Sequence, residues 1–71
     1  MSEEVKDIAT IELPYRRKAV VREATFGSGM KMVRLVLREG TRITQVDLDE
    51  ETATRLGTIL CAAAGNLGDS A

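Results

Sequence analysis

Histidine is absent from these 71 residues, cysteine occurs once (Cys61) and proline once (Pro14). The missing imidazole removes the commonest general base and the commonest zinc ligand together. A lone thiol cannot form an internal disulfide or supply two cysteine ligands to a metal. Aromatic residues are limited to Tyr15 and Phe26. No apolar run approaches the roughly 18 residues that a membrane-spanning helix needs. The first residues, Met1-Ser2-Glu3-Glu4, are acidic and lack the apolar stretch of a secretory leader. With the free thiol, this sets the expectation of a cytoplasmic protein.

Charge of one sign is scarce at each place in turn. Residues 1–15 set Glu3, Glu4, Asp7 and Glu12 against Lys6 alone, a net −3. Residues 16–42 carry eight Lys or Arg against Glu23 and Glu39, a net +6. Residues 43–71 set Arg55 against five carboxylates, a net −4. A basic centre between acidic flanks fits either an anion-binding surface or ion pairing between neighbouring strands.

The periodicity predicts a disordered N-terminus over residues 1–6, a single ββββα domain over 7–66 and a disordered tail over 67–71. Ile8, Ile11 and Leu13 mark a first strand that Pro14 ends, because proline cannot donate to a sheet ladder. A second strand runs from about Lys18 to Phe26, a third from Met30 to Arg38 and a fourth from Arg42 to Leu48. Gly27-Ser28 and Gly40-Thr41 both read as two-residue type II′ hairpins, with glycine where φ must be positive. Those loops set Ala24 opposite Lys31 and Val20 opposite Leu35. In the second hairpin they set Glu39 opposite Arg42, Leu35 opposite Val46 and Arg34 opposite Asp47. A three-residue first loop would oppose Arg22 to Arg34, which like-charge repulsion disfavours.

This register gives a core face of Val20, Ala24, Phe26, Val33, Leu35, Leu37, Val46 and Leu48, joined by Ile11 and Leu13. The other face carries Val21, Met30, Met32, Arg34, Val36, Arg38 and Ile43. Beyond Leu48 the apolar period becomes helical at Ala53, Leu56, Ile59, Leu60 and Ala63. Asp49 is the expected N-cap, with Asp47 as a second candidate. Gly65-Asn66 reads as the stop. Gly57 interrupts the stripe and could permit close approach to the sheet. The fold class is therefore α+β: a four-stranded antiparallel β-meander packed against one C-terminal α-helix.

Nothing in this pattern points to catalysis. Gly27-Ser28-Gly29 is too short for a phosphate loop and no helix follows it. Cys61 has no base to activate it and reads as a small residue beside the helix stripe. Asp47, Asp49, Glu50 and Glu51 straddle a strand end and a helix start and lack the spacing of a calcium loop. No catalytic residue, metal site or cofactor is expected. Val21, Met30, Met32, Val36 and Ile43, on the sheet face away from the helix, are candidate interface residues for a homodimer. Tyr15, Arg16, Arg17, Lys18, Arg34 and Arg38, with Arg22, are candidate contacts to an anion or nucleic acid.

The run Ile43-Thr44-Gln45-Val46-Asp47-Leu48-Asp49-Glu50-Glu51, leading into Ala53, Arg55 and Leu56 after four strands, resembles the end of the positive-cofactor-four-type transcriptional coactivator domain. The resemblance covers residues 18–64 at the level of pattern. It implies paired ββββα subunits and binding of single-stranded DNA. The long basic loop and the aromatics that serve DNA in that family are missing here, so the pairing carries over better than the ligand. A small bacterial family with no assigned activity fits the same pattern.

Overall fold

The computed structural model describes residues 3–69. Four strands, β1 (Glu4–Leu13), β2 (Arg17–Thr25), β3 (Lys31–Glu39) and β4 (Arg42–Leu48), precede one helix, α1 (Glu50–Asp69). The strands form one antiparallel sheet in the order β1-β2-β3-β4. The α+β meander expected from the sequence is the observed fold. β1 starts at Glu4, three residues before the expected start at Asp7. α1 runs through Gly65-Asn66 to Asp69, because neither residue diverts the chain and no proline follows. The fraying expected at residues 1–2 and 70–71 lies outside the described residues.

The β3–β4 hairpin has the expected register, with Glu39 opposite Arg42, Leu35 opposite Val46 and Arg34 opposite Asp47. Gly40 has φ 60° while Thr41 is not left-handed, as a type II′ turn requires. The β2–β3 hairpin differs. Its loop holds three residues, Gly27, Ser28 and Gly29. The Gly29 amide donates to the Phe26 carbonyl at 2.8 Å, and Gly29 itself takes φ 91°. That is the turn-plus-left-handed-glycine form of a three-residue hairpin. It places Arg22 opposite Arg34, Ala24 opposite Met32 and Val20 opposite Val36.

This one-residue difference overturns the expected faces, since side chains alternate with period 2. Val20, Ala24 and the Phe26 end of β2 leave the face of Val33, Leu35 and Leu37, and Val21, Glu23 and Thr25 join it. The apolar face now comprises Ile11, Leu13, Ala19, Val21, Val33, Leu35, Leu37, Val46 and Leu48. A bulge between Asp7 and Ala9 adds one residue to β1. By alternation it brings Ile8 and Ala9 to the apolar face together. The other face carries Lys18, Arg22, Arg34, Arg38 and Asp47 around Val20, Ala24, Met32 and Val36.

The helix starts well and then leaves the sheet. The Thr52 amide donates to Asp49 Oδ1 at 2.7 Å, so Asp49 is the N-cap. Hydrogen bonds from Thr52, hydroxyl and amide, hold the Asp49 carboxyl below its ordinary pKa. Asp47, the second cap candidate, is engaged elsewhere. Ala53 and Thr54 share a shallow cleft with Glu23, Lys31, Met32 and Val33. Ala53 and Leu56 are half-buried, but every residue from Gly57 to Gly68 is exposed. A Cβ built at Gly57 meets nothing within 4 Å, so this glycine serves no close approach within the chain.

Candidate functional site

Two surfaces stand out, and they follow from the observed register. The first is the apolar face. Only Ala19, Val20, Ala24 and Val36 are buried in the described chain, and three of those four lie on the charged face. On the apolar face Ile8, Ile11, Leu37 and Val46 are exposed. On the helix, Ile59 is 55% and Leu60 59% exposed, and Leu67 is also open to solvent. Leu56, Ile59, Leu60, Ala63 and Leu67 recur at helical spacing and form one stripe. Sheet face and helix stripe are thus both uncovered.

The surface area makes this quantitative. A compact 7.7 kDa chain exposes about 4,300 Å² by the usual size scaling, whereas this one exposes 5814 Å². Its radius of gyration is 14.3 Å against roughly 11 Å for a compact domain of this length. The helix is intrinsically weak. It contains Gly57, Gly65 and Gly68, each costing about 1 kcal/mol against alanine, and has no basic residue in its last turn.

The centre of the charged face, by contrast, is covered by its own side chains. Asp7, Arg22, Arg34 and Asp47 occupy one row across β1, β2, β3 and β4. Arg34 donates to both Asp47 oxygens, at 2.8 Å from Nε and 3.1 Å from Nη2, and to Glu3 at 2.5 Å. Arg22 Nε lies 2.8 Å from Asp7 Oδ1, too bent for a hydrogen bond. Each guanidinium thus has a carboxylate on its outer side, which offsets the repulsion between Arg22 and Arg34. The Arg34 side chain is 12% exposed. Its hydrogen bonds to Asp47 and then Glu3 raise its pKa, while the bond from Arg34 holds the Asp47 carboxyl below its ordinary value.

The candidate interface residues are therefore split. Met32, Val36 and Ile43 share the charged face, Val21 lies on the apolar face, and Met30 sits in the β2–β3 connection. Val36 is 2% exposed and has nothing left to offer a partner. The sequence reading missed Ile8, Leu37 and Val46 as open surface, although their spacing was visible.

The second surface is the end of the sheet where the β1–β2 and β3–β4 turns meet. Arg16, Arg17, Lys18, Arg38 and Arg42 gather there against Glu12 and Glu39, a net +3. The opposite end holds eight carboxylates, from Glu3 to Glu51, against Lys6, Arg22, Lys31 and Arg34, a net −4. Arg17 is paired with Glu39 at 2.6 Å, and Arg22 and Arg34 are paired as above. Among the described residues, Arg16, Lys18, Arg38 and Arg42 have no ion pair. Tyr15 is 86% exposed at the tip. Tyr15 and Arg16 take φ 64° and 61°, a left-handed pair costing roughly 1–2 kcal/mol each for non-glycine residues.

Asp47 and Asp49 are spent on Arg34 and on the helix cap, so the acidic run at the helix start is dispersed. Cys61 is exposed on α1. Among the described residues, no helix is long and apolar enough to cross a membrane. A family model matches residues 2–66, and its description is a family of unknown function, DUF6967. The chain belongs to that family. It matches no curated protein and no solved structure.

Proposed function

We propose that this DUF6967 chain is a non-enzymatic, cytoplasmic interaction module that works as a homodimer through its apolar sheet face and helix stripe. The observation that carries this reading is the pair of uncovered apolar surfaces on one small chain. A surface excess of roughly 1,500 Å² per chain corresponds to about 3,000 Å² in a dimer, the size of an obligate interface. The ββββα order shared with the positive-cofactor-four-type domain supports the same pairing by analogy. Light scattering across a concentration series tests it. A mass of two chains that falls to one in Ile59→Asp supports the reading. A single-chain mass at every concentration, with the helix intact by circular dichroism, refutes it.

A second reading is favoured by the unpaired cations. Arg16, Lys18 and Arg38, beside exposed Tyr15, could contact single-stranded nucleic acid, phosphates by charge and a base by stacking. Arg17 and Arg34 are less available, being held by Glu39, Asp47 and Glu3. Fluorescence anisotropy of a labelled oligonucleotide at low salt decides the matter. Saturable binding that weakens in Lys18→Glu/Arg38→Glu supports it, and no binding at low salt eliminates it.

A further inference from the structure

The sheet has two free edges, and they are not alike. β1 is guarded in the ways that edge strands usually are: a bulge between Asp7 and Ala9, a lysine at position 6 and a proline at its end. β4 has none of these. Its pairing with β3 is regular over all seven residues, and Ile43-Thr44-Gln45-Val46 is an uncharged run. Ile43 and Val46 are both exposed. Its one acidic residue, Asp47, is already neutralised by Arg34. A regular edge whose single cation, Arg42, stands at its first residue is a template for another strand.

We infer that β4 pairs antiparallel with β4 of a second copy, joining two four-stranded sheets into one continuous sheet of eight. This rests on the homodimer reading and adds its geometry. Three observations converge on a second copy as the occupant. The excess surface has the size of a dimer interface once each helix stripe lies across the joined apolar floor. A two-fold axis normal to the sheet keeps each face on its own side, so the two apolar faces become one floor on the side that Val33 shares with the helix start. Antiparallel pairing also sets the basic end of one chain, net +3, beside the acidic end of the other, net −4. Because the axis passes between the two β4 strands, the interface is isologous and closes as a dimer.

Spin-label distances test the arrangement, with nitroxides at Gln45→Cys or Lys6→Cys in a Cys61→Ser background. Sizing is run on the same samples. Eight strands at about 4.8 Å spacing put the two β1 strands about 34 Å apart and the two β4 strands next to each other. A dimer with Gln45 labels in close range and Lys6 labels near that longer distance supports the inference. Amide exchange supplies a label-free check. Every β4 amide should be slow, while alternate β1 amides exchange fast. A dimer whose Gln45 labels lie more than about 20 Å apart, or whose alternate β4 amides exchange fast, overturns the edge pairing and leaves the homodimer standing. A single-chain mass overturns both and leaves the edge to a different protein.

Discussion

The two faces of this sheet bury apolar surface in opposite ways. The charged face has fewer apolar residues, yet Val20, Ala24 and Val36 are buried there. They are flanked by arginines whose stems can lie flat over the sheet while the heads reach carboxylates. The apolar face has more large side chains and remains open, because the helix departs after Leu56. Burial therefore tracks what covers a surface, and long charged residues can cover it as well as a helix does. What the charged face leaves open lies at its margins, at Lys18, Arg38 and Ile43. The other face is left open by this chain.

The largest expected effect breaks this contrast directly. Leu37→Asp places a charge on the open face and should raise the dimer dissociation constant by about 100-fold or more, read by light scattering. Met32→Asp, on the closed face, should leave the mass unchanged. If the two variants behave alike, the distinction between the faces fails.

Next in size is the charged row itself. Asp47→Asn removes the main partner of Arg34 and leaves Arg22 and Arg34 facing each other. The thermal midpoint should fall, and added salt should partly restore it by screening the two arginines. The same pair sets a pH dependence. Asp47 titrates below its unfolded value, so its contribution is complete above about pH 4 and is lost as pH falls through the lowered folded value. Asp49 acts in the same direction through the helix cap. Acid titration of the wild type against Asp47→Asn should show a shallower loss in the variant.

The smallest effects sharpen the register that defines the faces. Gly29→Ala meets no neighbour within 4 Å, so its cost of about 1 kcal/mol comes from the left-handed backbone alone. Arg16→Gly should act in reverse, gaining about 1 kcal/mol by relieving the φ of 61°. Urea midpoints of the two variants should move in opposite directions.

Much of the fold was legible because its determinants are local. The Gly40-Thr41 turn, the β3–β4 register and the Asp49 cap each depend on residues a few positions apart. The β2–β3 register was not legible for the opposite reason. Rejecting Arg22 opposite Arg34 is sound for two strands in isolation, but Glu3 just before β1, Asp7 in β1 and Asp47 in β4 supply the counter-charge. Asp7 and Glu3 are distant in sequence, and reasoning strand pair by strand pair does not add them to Asp47. The five residues expected to share one open face do not share it, because that one-residue step moved Val21 away from Met32 and Val36. The strained tip at Tyr15 and Arg16 had no signal, since neither residue type favours a positive φ.

The loop Gly27-Ser28-Gly29 has a consequence for how this gene can vary. Removing any one of its three codons would force a two-residue turn and slide β2 past β3 by a single step. Everything on β1 and β2 would then turn inside out relative to β3 and β4, marrying half of the greasy floor to half of the ionic roof. Substitutions here are cheap, but a deletion at this site would be an inversion of the molecule.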